Sequence, residues 1–227
     1  MIALDNVTLQ VGGITPFTTI DFPGRLAAVI FCQGCPWHCV YCHNRHLLPA
    51  DGHGRHSWND IVTWLKTRSG LLEGIVFSGG EPLLQRQLGD AIRQVRQNGF
   101  DVALHTSGVY PDRLKKVLPL VEWIGLDIKA PFDEYEVVTG GGNGWRTRES
   151  LRHILDFRKP HELRCTVDPR FFTVERAEKM ARQLAELGAD HMILQPCRDE
   201  TRRRSRPVSE EIMNAVKRFL PSVAWRS

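Results

Sequence analysis

No stretch of about 18 apolar residues occurs anywhere in the 227-residue chain, so hydropathy excludes a transmembrane helix. The opening Met1-Ile2-Ala3-Leu4-Asp5 lacks a basic segment followed by an apolar one. No signal peptide is therefore expected, and the expected location is cytoplasmic, with no membrane partner. Charge of one sign is also scarce. Thirty Lys and Arg against 26 Asp and Glu leave a net +4, too little for the charge alone to indicate a nucleic-acid binder. Arg202, Arg203, Arg204 and Arg206 concentrate part of the excess; such a run reads first as a solvated loop and second as a docking patch. No direct nucleic-acid contact is expected. The cysteines, finally, lack a second separated pair. Four of the six stand at 32, 35, 39 and 42, with Cys165 and Cys197 alone. In a reducing compartment a cluster of this kind points to metal and away from disulfides.

Apolar runs alternate with amphipathic stretches. Strands are expected at Leu26–Phe31, Gly74–Phe77, Asp101–Leu104, Trp123–Ile128, Leu163–Val167 and His191–Leu194. Helices are expected near Ser57–Thr67, Leu83–Gln97, Asp112–Leu118, Arg148–Phe157, Glu175–Leu187 and Ser209–Phe219. Strands separated by helices of about 10–15 residues imply right-handed crossovers and a parallel sheet. Six units suggest an α/β fold, a partial (β/α)6 barrel with helices outside, in one domain over 1–227. Its parts are a short N-terminal segment 1–24, a core at about 25–197, and a C-terminal helix and tail 198–227. A doubly wound open sheet is the structural rival, because periodicity cannot close a barrel. In either fold the ligand-bearing loops follow the carboxyl ends of the strands. That rule gathers the cysteine loop, Ser78-Gly79-Gly80-Glu81, His105-Thr106-Ser107-Gly108 and the pair Asp127 and Lys129.

Cys35-Pro36-Trp37-His38-Cys39-Val40-Tyr41-Cys42 places three thiols on one short loop. Three thiolates can bind three irons of a cubane and leave the fourth iron open. A structural zinc wants four ligands, usually from two separated pairs, and a four-cysteine electron-transfer cluster would recruit Cys32. Cys32 instead continues the apolar strand run, as a small hydrophobe does. The three-ligand reading is preferred over both.

The Cys-x3-Cys-x2-Cys spacing with Tyr41 before the last cysteine resembles the radical S-adenosylmethionine (SAM) signature. Asp21-Phe22-Pro23-Gly24-Arg25, Gln33-Gly34-Cys35 and Tyr41-Cys42-His43-Asn44 resemble the glycyl-radical-enzyme activating subset. Within it the chain is most similar to the anaerobic ribonucleoside-triphosphate reductase activating proteins. The resemblance implies one [4Fe–4S] cluster held by Cys35, Cys39 and Cys42, with SAM on the fourth iron. It implies Tyr41 and His43 beside SAM, Gly79, Gly80 and Glu81 at the methionine ammonium, and Asp127 and Lys129 at the ribose and carboxylate. It implies no catalytic acid or base beyond the cluster and SAM. The implied partners are a glycyl radical enzyme, most simply anaerobic ribonucleotide reductase, and flavodoxin or ferredoxin as electron donor. His105 stands where related activases carry an aspartate, which puts a monovalent cation site in doubt. Arg164 on the fifth strand could reach SAM or form a structural ion pair. The rival functions are a radical-SAM enzyme acting on a small molecule, activation of another glycyl radical enzyme, and a non-catalytic zinc or redox module.

Overall fold

The computed structural model describes residues 7–51, 54, 56–142, 144–197 and 207–226. The arginine run at 202–206 and Asn143 lie outside the described residues. The chain divides into two compact units. One comprises Met1–Pro36, Asn44–Thr106 and Asp112–Ile124, the other Trp37–His43, Ser107–Pro111 and Gly125–Ser227.

In the first unit, β1 (Val11–Thr18) pairs antiparallel with β2 (Ala27–Cys32). Helix α1 (Trp58–Lys66) leads to β3 (Gly74–Gly79), and α2 (Leu88–Gln97) to β4 (Asp101–Thr106). The β2–β3 and β3–β4 ladders are parallel. Ala27–Ile30 and Gly74–Phe77 are buried without alternation, the pattern of strands covered on both faces. Ser57 caps α1, its hydroxyl accepting from the Asp60 N–H at 3.2 Å. Leu88, Ala91, Ile92 and Val95 form the buried stripe of α2, and Gly99, at φ +86°, turns the chain out of it. Helix α3 (Pro111–Val117) follows β4, and β5 (Trp123–Asp127) carries the chain across the division between the units.

The second unit continues with α4 (Tyr135–Thr139), α5 (Trp145–Asp156), β6 (His161–Val167), α6 (Val174–Ala185), β7 (His191–Pro196), α7 (Glu210–Lys217) and β8 (Ser222–Trp225). The β6–β7 and β7–β8 ladders are parallel. Thr173 and Ser209 cap α6 and α7 through the N–H groups of Arg176 and Ile212.

All six expected strands are present, but two more appear where none was expected. β1 lies in the segment assigned to the N-terminal extension, and β8 in the C-terminal tail. Both resist detection for a physical reason. β1 reads VGGITPFT, with two glycines and a proline in eight residues, and its ladder is bulged between Val11 and Gly13 and between Thr15 and Thr18. β8 is four residues long and largely exposed, and its Val223-Ala224-Trp225 run is too short to stand out. The helix expected over Leu83–Gln97 is split. Pro82–Leu84 is a single 3-10 turn, and α2 begins only at Leu88. Between them Gln85 is extended, because its side-chain N–H groups donate to Gln10 O at 2.6 Å and Gln33 O at 3.0 Å.

Candidate functional site

The sequence-predicted residues fall in both units, and each unit holds its own residues by a different device. In the first, the carboxyl ends of β2 and β3 touch through backbone. The Gly80 N–H donates to Cys32 O at 2.9 Å and the Glu81 N–H to Gly34 O at 2.8 Å. Gly79 has φ +111°, and a Cβ there would meet Cys32 N at 2.5 Å; one on Gly80 would collide with the Gly34 carbonyl. The two glycines are thus required by the contact between the turn and the start of the cysteine loop. Gly34, at φ +92°, has its own close neighbour in Leu84 Cδ2. The loop is pinned further by Gly34 N–H to Leu47 O at 2.8 Å, Cys35 N–H to Leu48 O at 3.1 Å, and the buried Gln33 amide on His46 O and Pro49 O.

Glu81 is fully buried. Its Oε1 accepts from the Leu83 N–H at 3.0 Å and the Thr106 hydroxyl at 2.7 Å. The carboxylate therefore caps the Pro82–Leu84 turn and ties it to the end of β4. His105 is buried on the edge of the Trp123 ring, with Nε2 2.8 Å from Asp21 O. Phe22 packs on Trp123 and occupies the space a Cβ on Gly74 would need. The Asp21–Arg25 motif is thereby fastened to β3, β4 and β5, a role its sequence did not disclose.

The second unit works with side-chain charge. Asp127, at the end of β5, accepts from Arg164 Nε at 3.1 Å and Nη2 at 2.9 Å and lies 3.5 Å from Lys129 Nζ. Arg164 and Lys129 side chains are only 11% and 12% exposed, Asp127 38%. The Arg164 guanidinium lies over Gly125, where a Cβ would approach its carbon to 2.8 Å. The ion pair, one of the two roles expected for Arg164, is formed with Asp127. Burial opposes the Lys129 charge, and the Asp127 carboxylate beside it favours the ammonium. Burial likewise drives the Tyr41 phenol well above its ordinary value, so it is neutral at pH 7; the Asp127 carboxylate is therefore the negative charge that serves Lys129 there. Lys129 Nζ is 5.9 Å from the Tyr41 ring centroid.

The same unit holds the rest of the cysteine loop. The His38 N–H donates to Thr139 O at 2.9 Å and the Val40 N–H to Val138 O at 3.0 Å. The start of the Gly140 loop is thus stitched to the backbone between Trp37 and Cys42. The Cys42 N–H closes a turn onto Cys39 O at 2.9 Å. His43 is exposed, whereas Tyr41 and Cys42 are half-buried.

All six cysteines are free thiols. Cys32 and Cys165 are fully buried, and burial pushes both thiols up, Cys165 to about 12. Cys35, Cys39 and Cys42 are half-buried. Burial raises Cys39, and the Lys129 charge opposes that rise. Among the described residues no three His, Cys, Asp or Glu are gathered around one point as a ready site for a single metal ion. The fit to the expected cofactors rests instead on donor chemistry. Three accessible thiols on one loop suit a cubane with one open iron. A buried cation beside a carboxylate suits the charged groups of SAM.

The sequence pattern of the radical SAM superfamily matches residues 29–169. A relative from Methanocaldococcus jannaschii, provisionally named a glycyl-radical enzyme activating enzyme, is 31% identical over 190 residues, 78% of this chain and 75% of the relative. Pyruvate formate-lyase 1-activating enzyme of Escherichia coli is 29% identical over 146 residues, 61% of this chain and 59% of that protein. Among solved structures, QueE from Escherichia coli superposes with a TM-score of 0.62 at 17% identity, covering 99% of this chain and 96% of that one. The α/β fold expected, of radical-SAM type with parallel strands, is the fold of these neighbours. No described helix is long and apolar enough to cross a membrane.

Proposed function

This chain belongs to the radical SAM superfamily, and from that premise we propose that it is an activase that generates a glycyl radical on a partner enzyme, with anaerobic ribonucleoside-triphosphate reductase as target. Its cofactors are a [4Fe–4S] cluster and SAM. When bound, they supply the reductive cleavage of SAM that yields a 5′-deoxyadenosyl radical able to abstract hydrogen from a glycine. The observation that carries the activase reading is the 31% identity over 190 residues with a relative named for that activity. The choice of target rests on the resemblance of the chain as a whole to the anaerobic ribonucleoside-triphosphate reductase activating proteins.

The chain's own residues position and shield. Cys35, Cys39 and Cys42 hold three irons. Gly79 and Gly80 bring main chain to the edge of the site, and Glu81, buried on Leu83 and Thr106, keeps that turn in place. Lys129 offers its ammonium to the SAM carboxylate while Asp127 faces the ribose. Tyr41 and His43 would lie near SAM, Tyr41 beside its adenine. The stitching of Val138 and Thr139 to the cysteine loop supports a peptide substrate, because it joins a glycine-rich loop directly to the cluster loop. The protein acts in the cytoplasm as a single radical-SAM domain and draws its electron from flavodoxin or ferredoxin.

Anaerobic incubation of the reduced holoenzyme and SAM with candidate glycyl radical enzymes tests the reading. A glycyl doublet in the electron paramagnetic resonance spectrum of the reductase, absent with pyruvate formate-lyase, is the expected result. A doublet on pyruvate formate-lyase alone moves the target. Steady 5′-deoxyadenosine release with no protein radical favours a small-molecule substrate and rejects the activase.

A further inference from the structure

The first unit carries a cavity of about 360 Å³ between the start of α2 and α3, remote in sequence from the cysteine loop and absorbed by none of the chemistry above. Arg86, Arg93, Arg113 and Lys116 line it, against one carboxylate, Asp90. That local excess of three positive charges compares with +4 for the whole chain. Arg113 and Lys116 lie three apart on α3 and so share a face.

How those charges are used decides what they fit. Arg113 is fixed to the wall, donating to Leu83 O at 2.8 Å and Leu84 O at 2.6 Å, and Arg93 pairs with Asp90 at 2.8 Å. Arg86 and Lys116 are exposed and form no ion pair among the described residues. The free charge is therefore displayed at the rim and not collected at a buried point. A rim of this kind suits surface carboxylates of a protein partner better than a small phosphate, which needs convergent donors.

The wall leads to the cysteine loop within the same unit. Leu84 sits where a Cβ on Gly34 would be, and the Gln85 amide donates to Gln33 O at 3.0 Å. Gln33 and Gly34 run directly into Cys35. We propose that this basic groove docks the acidic face of the one-electron carrier protein that reduces the enzyme, with the Leu84–Gln85 wall joining the docking surface to Cys35. In each encounter the carrier is oxidised by one electron and the holoenzyme reduced by one, with no bond or proton changing place. The inference rests on the reading of the chain as a radical-SAM enzyme.

The test uses the holoenzyme, with acidic flavodoxin and plant-type ferredoxin as probes. The double variant R86E/K116E is compared with wild type and with R148E, which reverses an exposed cation outside the groove. Affinity for oxidised carrier is read by fluorescence anisotropy across a salt series, and 5′-deoxyadenosine release is driven either by reduced carrier or by dithionite. The expected result is at least ~tenfold weaker carrier binding in R86E/K116E, with a flattened salt dependence. Carrier-driven release should fall with it, dithionite-driven release should stay unchanged, and R148E should match wild type. Unchanged carrier affinity in the folded double variant overturns the docking site. So does binding of inorganic pyrophosphate that the double variant abolishes while carrier binding persists; the groove is then a small-anion site. Absence of dithionite-driven release in wild type rejects the radical-SAM reading itself, and the anisotropy then judges the groove separately.

Discussion

The predicted site residues of the first unit and those of the second differ in what holds them in place. Around Gly79 and Gly80 the contacts are main chain on main chain, and the space a side chain would need is filled by the backbone of Cys32 and Gly34. Around Asp127, Lys129 and Arg164 the contacts are flexible side chains whose charges compensate each other. A backbone contact cannot yield without moving a strand, whereas a guanidinium can swing aside. The first region should therefore be brittle toward added volume and indifferent to charge, and the second the reverse.

The largest effect should come from the cysteine loop. Replacing Cys35, Cys39 or Cys42 singly by Ala should abolish an intact cluster, seen as lost iron and sulfide content and lost visible absorbance after anaerobic reconstitution. Cys32→Ala should retain the cluster at a stability cost of about 1 kcal/mol, since Cys32 is a buried strand residue. Loss of the cluster in Cys32→Ala with one of the other three dispensable would reverse the ligand assignment.

Added volume tests the contrast directly. Gly80→Ala should destabilise by about 3 kcal/mol, because its Cβ collides with the Gly34 carbonyl and must displace the cysteine loop. Gly125→Ala should cost only about 1 kcal/mol, because its Cβ meets the movable end of Arg164. Urea midpoints of the two variants decide it, and equal losses would erase the distinction.

Charge removal reads the other side. Asp127→Asn leaves two little-exposed cations facing each other and should destabilise by about 1–2 kcal/mol, reduced from the fully buried case because Asp127 is part-exposed. Equilibrium dialysis should show weaker SAM binding with the cluster retained.

The smallest expected effect lies away from both regions. Arg170, hydrogen-bonded to Asp168 at 2.6 Å, holds that carboxyl below the usual carboxylate range. A depressed carboxylate stabilises the fold above its unfolded value near ~3.9, and the contribution vanishes as pH falls through its native value. Asp168→Asn should cost about 1 kcal/mol at pH 7 and nothing in strong acid. A constant difference between pH 7 and pH 2 in denaturant midpoints would refute it.

Much of this molecule is legible in its residue order. Strands such as β2 and β3 announce themselves as buried apolar runs, and Ser57 with Asp60 three residues on marks the start of α1. The cysteine spacing names its chemistry because ligand number and loop length are local properties. Other features left little signal. β1 hides behind glycine, proline and bulges, and β8 is short and exposed. Nothing in His105 or Phe22 alone says that they lock the Asp21–Arg25 motif to β4 and β5. Glu81 shows the gap most clearly: as a sequence residue it is a charge in a glycine-rich turn, yet its carboxylate is turned inward as a cap.

By itself the sequence determined the alternation of strand and helix and the family, since each depends on periodicity or spacing along the chain. Only tertiary structure decided that Gly79 and Gly80 are demanded by Cys32 and Gly34, that Arg164 answers Asp127 across Gly125, and that four cations from two separate stretches of chain share one groove. Those pairings join residues that are distant in the chain, and which distant side chains meet is fixed by how the strands stack and not by their order.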